Sequence, residues 1–275
     1  MQVFVQGIGV WAPRMPNWRT ARAVIRGEML LPDTVAKRPS GELLASNERR
    51  RAPDTVLLAL EVAAAACADA ELDPKLLPSI FASTHGDLTV CDSMSTTLAA
   101  SPELVSPTKF HNSVHNAAVG YWTIATGAIA ASTALSAANE TFAEGLLEAA
   151  AYALSEQRPV LFVAYDIQVV GGLASVTQSD GLFGVALVIA PTADKNSKCQ
   201  LNVELVDLPA RGEGRAAVVA GTSPAAAAVS GNALAGVLPA LERIAQGDTQ
   251  SLILPLARQC GLSLTVSVPN VGAGS

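Results

Sequence analysis

Residues 132–165, STALSAANETFAEGLLEAAAYALSEQRPVLFVAY, contain a strand, a helix and a second strand in succession. Residues 132–136 are predicted to form a short strand and residues 140–156 a helix. Glu140 lies in the first turn of that helix, where an acidic side chain interacts favourably with the helix dipole. The apolar run 159–165 is typical of a strand that is covered on both faces of a sheet. This stretch therefore predicts a β-α-β unit with helices packed on a sheet.

Further segments on both sides of this unit continue the alternation of strands and helices. The order over roughly the first 190 residues is β-α-β-α-β-α-β-β. Such alternation predicts an α/β fold with a mainly parallel sheet and helices on its faces. The other predicted strands are 3–9, 79–84 and 184–190, and the other predicted helices are 55–70, 89–100 and 113–127.

The rest of the chain repeats the end of this pattern in a shorter form. We therefore divide the sequence into residues 1–195 and a degenerate, shortened second copy, residues 196–275, within one compact unit. The elements predicted for the second copy are a strand at 201–208, a helix at 232–246, and strands at 251–256 and 262–268.

Composition and charge narrow the function classes. The chain has 275 residues, of which 50% are hydrophobic and 15% charged, with a formal net charge of −6. These values exclude a disordered chain, and the acidic balance argues against a nucleic-acid partner. The first residues do not fit a signal peptide. The cysteines form no C-x-x-C pair, which predicts reduced thiols in a cytoplasmic protein; they are Cys67, Cys91, Cys199 and Cys260.

Residues 110–139 contain no Asp, Glu, Lys or Arg, a length that would be sufficient to span a bilayer. The stretch includes histidines and asparagines, however, and it is rich in small residues rather than in leucine and isoleucine. We therefore interpret it as a buried segment of the fold and expect no membrane span.

The segment Gly7-Ile-Gly-Val-Trp-Ala12 matches the G-x-G-x-x-A pattern of dinucleotide-binding folds directly after a strand. In those folds the glycine turn opens a helix whose N-terminus holds the pyrophosphate. Here Pro13 and Pro16 follow, so no helix can open at this point. We expect no nucleotide and no other cofactor.

The three histidines, His85, His111 and His115, lie close together in the sequence. His111 and His115 have the spacing of two metal ligands on one helix face. The H-E-x-x-H pattern requires a glutamate where this chain has Asn112, and no third ligand is near in sequence. We therefore expect no metal site, and histidines that bond to backbone or amide groups.

Two longer motifs carry a family resemblance. Residues 106–117, SPTKFHNSVHNA, lead into one predicted helix, and residues 137–149, AANETFAEGLLEA, open another. Together they resemble the condensing-enzyme (β-ketoacyl synthase) branch of the thiolase superfamily, above all its short β-ketoacyl-synthase-like N-terminal domain proteins. The resemblance covers about residues 1–190. It implies a thiolase-like layered fold with a complete first half and a truncated second half.

The sequence departs from this family at the catalytic positions. Active ketosynthases carry a nucleophilic cysteine in a T-A-C-x-S turn, and alignment of Ala137-Ala138 with that Thr-Ala pair places Asn139 at the nucleophile. Asn232 takes the place of a catalytic histidine in a turn that resembles G-H-T-x-G. The segment that would carry the second histidine is missing. The resemblance therefore implies a chain without catalytic residues.

Such a chain resembles the chain-length factor of aryl polyene-type, type II polyketide systems. The resemblance implies a heterodimer, or a heterotetramer, with an active β-ketoacyl synthase. It also implies that an acyl carrier protein binds to this complex transiently. Arg49, Arg50 and Arg51 form either a solvated surface or a docking site for that acidic carrier. The residues expected at the interface or in the acyl tunnel are Leu88, Cys91, Ser95, Phe110, His111, His115, Asn116, Ser132, Ala134 and Ser136.

Two other functions remain open from the sequence. One is a stand-alone acyltransferase or hydrolase with His115 as the base, for which no nucleophile can be placed. The other is a homodimeric scaffold that binds acyl chains without a ketosynthase.

Overall fold

The computed structural model describes residues 1–209, 220–256 and 259–269. Eight strands of these residues form one sheet in the order β3-β2-β4-β5-β1-β6-β8-β7. The strands are β1 (Gln2–Trp11), β2 (Ser79–Ala82), β3 (Ser132–Leu135), β4 (Val160–Asp166), β5 (Phe183–Ala190), β6 (Cys199–Asp207), β7 (Leu252–Pro255) and β8 (Cys260–Ser267).

The α-helices of the described residues pack on both faces of this sheet. Side chains of Asn17, Asp87, Ser106 and Ser223 accept hydrogen bonds from backbone N–H groups in the first turns of four of them. The helices are α1 (Trp18–Ile25), α2 (Ser46–Arg51), α3 (Asp54–Asp69), α4 (Leu88–Ala100), α5 (Pro107–Asn112), α6 (Ala117–Thr126), α7 (Thr141–Glu156), α8 (Pro224–Ala228) and α9 (Leu238–Gln246). No helix of the described ranges is long and apolar enough to cross a membrane.

The expectation of a mainly parallel sheet is wrong. Strand β2 runs parallel to β3 and β4, whereas the other five pairings among the described strands are antiparallel. The physical reason lies in the connections. A crossover helix returns the chain in the same direction, as α7 does between β3 and β4, but β4, β5 and β6 follow one another without an α-helix.

The helices on the two faces enclose two separate cores. Strands β4 and β5 are buried along their whole length, in agreement with the covered strands that the sequence predicted. Helices α1, α7, α8 and α9 pack with Ile80 and Phe162 on one face. Helices α3 and α6 pack with Phe81 and Val163 on the other. The strands of both predicted halves belong to this single sheet. The division of the chain at residue 195 stays a prediction. Part of the predicted second half lies outside the described residues.

The glycines of the G-x-G-x-x-A motif have a packing role. A Cβ on Gly7 would lie 2.1 Å from the carbonyl oxygen of Ala66, and one on Gly9 would lie 2.0 Å from that of Val62. Both carbonyls belong to α3. The two glycines therefore let α3 lie directly against β1, and the chain after β1 turns at Pro13 before α1 begins at Trp18.

Replacing Gly9 with alanine should destabilise the fold by about 1–3 kcal/mol, because the backbone of α3 must move to admit the methyl group. Thermal unfolding of the two proteins measures the difference. Gly120→Ala is the matched control, since a Cβ there meets no atom within 4 Å and alanine is favourable inside a helix. Equal unfolding temperatures for Gly9→Ala and the unaltered chain would contradict this account.

Candidate functional site

Polar loops meet at the carboxyl ends of the three parallel strands β2, β3 and β4. Loops at this edge of a sheet are where α/β proteins place ligand and catalytic groups. The loops after β2 and β3 are joined directly, because Ser136 Oγ donates a hydrogen bond of 2.9 Å to the carbonyl oxygen of Thr84. This edge is therefore the candidate site.

A buried carboxylate fixes the loop after β2. Asp166, the last residue of β4, is fully buried. Its carboxylate accepts hydrogen bonds from Ser83 Oγ (2.9 Å), from the backbone N–H of Thr84 (3.0 Å) and from that of His85 (3.3 Å). Burial raises the pKa of Asp166, and these hydrogen bonds oppose that shift. Asp166 thus holds β4 and the loop after β2 in one arrangement.

Asn232 has a structural role in the same region. Its side chain is buried, and Nδ2 lies within hydrogen-bond distance of the carbonyl oxygens of Asp166 (3.2 Å), Asp180 (3.1 Å) and Gly181 (3.2 Å). Oδ1 accepts a hydrogen bond of 3.0 Å from the backbone N–H of Leu234. Each polar atom of the amide therefore bonds to backbone, and Asn232 joins three segments of chain.

Asn139 lies in a sharp turn between β3 and α7. Ala138 precedes it with a φ of +49°, a left-handed conformation that is uncommon for residues other than glycine. Thr141 Oγ1 accepts a hydrogen bond from the N–H of Ala137 (2.9 Å) and donates one to the carbonyl of Ala138 (2.7 Å). Strand β3, this turn and α7 thus form a sharp strand–turn–helix connection with an amide side chain in the turn.

The space next to Asn139 is small. A cavity of about 50 Å³ is lined by Asn139, Phe142, Leu234 and Pro255, among others. Ligand sites usually have volumes of about 300–1,000 Å³. The segment after Asn232 therefore lies against the turn that bears Asn139, and the cavity between them is smaller than a typical ligand site.

Comparison with known proteins agrees with this geometry. The family model described as the β-ketoacyl synthase N-terminal domain matches residues 26–253 of the chain. The chain belongs to this family. The resemblance drawn from the two motifs is thereby confirmed. None of the curated proteins with which the sequence was compared matches it.

Solved structures of ketosynthases with chain length factors have the same fold as this ketosynthase-family chain. A chain of the ketosynthase ApeO in complex with its chain length factor ApeC, from Xenorhabdus doucetiae, is 22% identical, with a TM-score of 0.71 over 96% of this chain and 99% of that one. A chain of the ishigamide ketosynthase/chain length factor is 17% identical, with a TM-score of 0.66 over 98% and 99%. The thiolase-like fold is therefore confirmed.

The three histidines of the ketosynthase-family chain occupy different environments. His115 Nε2 lies 2.9 Å from the carbonyl oxygen of Ser83, and His85 Nε2 lies 3.0 Å from Thr177 Oγ1. His111 is exposed, and its ring centroid is 6.1 Å from that of Tyr121. Among the described residues no three His, Cys, Asp or Glu side chains could hold a metal ion together. His115 thus lies within hydrogen-bond distance of a backbone carbonyl, as the sequence predicted for a histidine bonded to backbone.

Helix α4 carries the residues expected to line a tunnel. Asp87 caps this helix through a hydrogen bond from the N–H of Val90 (2.8 Å) and also accepts one from Thr55 Oγ1 (2.7 Å). On the face at i, i+3 and i+7, Leu88 is buried, Cys91 is half-buried and Ser95 is exposed. Burial, followed by the charge of Asp87, raises the pKa of Cys91. This face runs from the core to the surface.

The remaining expected interface residues lie on or near the first edge of the sheet. Strand β3, which includes Ser132 and Ala134, is the edge strand and its first two residues are exposed. Phe110, on α5, and Asn116, just before α6, are also exposed. The arginine cluster, Arg49, Arg50 and Arg51, forms the last turn of α2, and none of the three takes part in an ion pair with a described residue.

Asp166 is the main site residue that the sequence did not indicate. The available signal was its position, since it is a carboxylate directly after the apolar run 159–165. A charged residue there lies at the carboxyl end of a buried strand, where loops with polar groups converge.

Proposed function

We propose that this chain is a non-catalytic, chain-length-factor-like subunit. In this proposal it pairs with an active β-ketoacyl synthase and shapes the acyl tunnel of that enzyme in type II polyketide or aryl polyene biosynthesis. The observation that carries the proposal is the sharp turn between β3 and α7, which bears Asn139 where the family resemblance implies a nucleophile.

The chemistry of the two asparagines supports the absence of catalysis. An amide nitrogen is not a usable nucleophile near neutral pH, so Asn139 cannot form a thioester. Asn232 cannot exchange a proton in place of a histidine, and its hydrogen bonds to backbone leave it no role at the neighbouring cavity. Condensation then belongs to the partner.

The edge of the sheet supports pairing. An edge strand presents unpaired N–H and C=O groups that another strand can satisfy. Strand β3 is four residues long and is followed directly by the turn that bears Asn139. Association through β3 would therefore place the partner next to the turn that bears Asn139. We expect an obligate, mostly apolar interface that buries on the order of 2,000–5,000 Å².

Relatives of the same fold fit the proposed partners. The ketosynthase–chain length factor complexes have TM-scores of 0.71 and 0.66 to this chain, and a chain of a ketosynthase complex with a type II acyl-carrier protein also has a TM-score of 0.71. We accordingly propose a heterodimer or heterotetramer in the cytoplasm. The acyl carrier protein would dock transiently, with Arg49, Arg50 and Arg51 as its candidate contact.

The chain alone should show no condensation, and Asn139→Cys should not restore it. A thiol at position 139 would lack a histidine to activate it, and the cavity beside it holds about 50 Å³. The measurement is condensation of acyl and malonyl groups on carrier protein with radiolabelled substrate. An iodoacetamide label on the new cysteine reports whether it is accessible.

An active ketosynthase assayed under the same conditions is the positive control, and its cysteine-to-alanine variant sets the background. Turnover by the isolated, unaltered chain above that background would refute the proposal of a non-catalytic subunit. Co-expression with ketosynthases encoded by neighbouring genes, followed by affinity purification, identifies the partner.

The face of α4 that bears Cys91 and Ser95 should set product length. Cys91→Phe or Ser95→Phe should shorten the product while the complex stays assembled, because the added ring would enter the tunnel. If the face only packs within the chain, Cys91→Phe should instead cost about 1–3 kcal/mol and lower the yield of complex, whereas Ser95→Phe, at an exposed position, should change neither yield nor product length. Mass spectrometry of the carrier-bound product distinguishes these results, and an intact complex with unchanged product length excludes the tunnel role.

A further inference from the structure

The sheet of the described residues ends in two edge strands, β3 and β7, which offer different backbone groups. On the inner side of β3, the carbonyls of Ala131 and Leu135 accept hydrogen bonds from the neighbouring strand β2 and the residue that follows it. Because alternate residues of a parallel pair bond to the neighbour, the backbone groups of Ser132 and Ala134 point to the open side. The β3 edge therefore offers two free N–H donors.

Pro255 stands at the open side of the other edge strand, β7. Just after this strand, the N–H of Leu256 donates a hydrogen bond of 2.9 Å to the carbonyl of Cys260. Opposed pairs of an antiparallel ladder alternate between bonded and non-bonded, so Leu254 bonds to β8 whereas Ile253 and Pro255 point away from it. Since proline has no N–H group, Ile253 supplies the one outward donor within β7.

The face of the sheet beside this edge is suited to water. In β6 and β8, alternate residues such as Leu201 and Leu264 belong to the core. The polar residues between them are half-buried or exposed, and they are Gln200, Asn202, Glu204, Ser263, Thr265 and Ser267. This alternation is typical of an antiparallel sheet with one face in water. The β7 edge therefore borders a solvated surface, where other copies of the chain can reach it.

The strand that an open β7 edge would pair with is present in every copy of the chain. Strands β3 and β7 are each four residues long, and β3 carries the free donors. A contact between these two different edges leaves one edge free on each end copy, so it does not close and continues as a filament. Closing the β7 edge prevents this growth.

We propose that Pro255 closes the β7 edge and thereby prevents copies of this chain from joining head to tail, with β3 of one copy against β7 of the next. A strand placed against β7 would have a carbonyl that finds no donor at position 255, and the proline ring would push it away. This inference goes beyond the proposed function and needs no ketosynthase. Its failure would therefore leave the proposed pairing through β3 intact.

The test is the mass of the Pro255→Thr chain in solution, measured by analytical ultracentrifugation over a series of concentrations. Threonine supplies the missing N–H group and suits a strand, and its side chain is polar at one end. The full-length chain is fused to a solubilising protein, and the unaltered chain in the same fusion is the reference. The weight-average mass of Pro255→Thr should rise with concentration to more than roughly twice that of the reference, because head-to-tail contacts do not close.

Two double variants are the matched controls. Ile253→Pro added to Pro255→Thr moves the proline to the neighbouring outward position, which costs no hydrogen bond to β8, and it should return the mass to that of the reference. Ala134→Pro added to Pro255→Thr removes a donor from the β3 edge, and it should stop growth beyond a dimer. The thermal unfolding transition should be kept in Pro255→Thr, because position 255 makes no N–H bond to β8 in either protein.

Four results would overturn the proposal. The first is a folded Pro255→Thr chain with the mass of the reference at every concentration. The second is growth that persists after Ile253→Pro, which would assign it to the threonine side chain instead of the donor. The third is growth beyond a dimer after Ala134→Pro, which would show that β3 is not the joining strand. The fourth is growth with loss of the thermal transition, since unfolded chains would then be associating.

Discussion

Replacing Ala134 with proline should abolish assembly with a ketosynthase while the chain itself stays folded. In the parallel pair of β2 and β3, Ser79 N–H donates to the carbonyl of Ala131 (3.0 Å) and Ser83 N–H to that of Leu135 (3.2 Å). Because alternate residues of a parallel pair bond to the neighbouring strand, the backbone groups of Ser132 and Ala134 point to the open edge. Proline at position 134 therefore removes an edge donor and keeps the pairing with β2.

The expected loss is large. A strand of the partner that pairs here would be left with an unsatisfied carbonyl, which costs about 1–3 kcal/mol, and the proline ring would also push that strand away. Together these effects should weaken association by roughly a hundredfold or more. Co-purification of the two subunits after co-expression, followed by analytical ultracentrifugation, measures the change.

Ala134→Val is the matched control, because valine keeps the N–H group and suits a strand. It should assemble like the unaltered chain. Co-purification of Ala134→Pro at the same subunit ratio would show that the interface does not use the edge of β3, and a different face would then have to be sought.

The elements with the strongest sequence patterns were predicted well. The helix predicted at 140–156 is α7, Thr141–Glu156, and the strand predicted at 159–165 is β4, Val160–Asp166. In both, local propensity, apolar patterning and burial favour the same structure. Between the first predicted strand, 3–9, and the helix predicted at 55–70, the sequence is polar and has no clear apolar pattern. The two helices that the structure has there, α1 and α2, were therefore not predicted.

Two predicted helices begin later than expected for identifiable reasons. The helix predicted at 113–127 is α6, which begins only at Ala117, because a separate short helix, α5, with Pro107 at its first turn, ends just before it at Asn112. The helix predicted at 232–246 begins only at Leu238, after a short 3₁₀ turn. There Asn232 bonds to distant carbonyls instead of capping a helix, and Pro239 suits a first turn.

The site was predictable only where local sequence determines it. The turn with Asn139 follows from a strand, two alanines and a helix, so a motif was sufficient to place it. The cluster around Asp166 depends on groups far apart in sequence, since Ser83 precedes it by 83 residues and Asn232 follows it by 66. Periodicity and composition carry no information about such contacts.

Expressed without a partner, the chain should aggregate, and co-expression with the right ketosynthase should restore its solubility. Several large apolar side chains face solvent close to the expected interface: Ile129 is 98% exposed, Leu104 70% and Phe110 63%. Ile129 lies just before the open edge of β3. Exposed apolar surface beside unpaired backbone groups favours association of chains with one another.

Ile129→Asp separates the two consequences of this surface. It should make the isolated chain more soluble, because the new charge replaces an exposed apolar group. It should also weaken assembly with the ketosynthase by at least roughly tenfold, since burial of an isoleucine side chain contributes about 1.5–3 kcal/mol. The soluble fraction after centrifugation and the yield of co-purified complex measure the two effects.

Val268→Asp provides the control, because Val268 is also largely exposed, at 81%, but lies after β8, near the opposite edge of the sheet. It should leave assembly unchanged. Solubility gained at position 129 without any loss of assembly would mean that this surface is only an aggregation hazard. A monodisperse, thermally stable monomer of the unaltered chain would contradict obligate pairing itself, because a chain that is stable in water with Ile129 exposed does not need a partner to cover it.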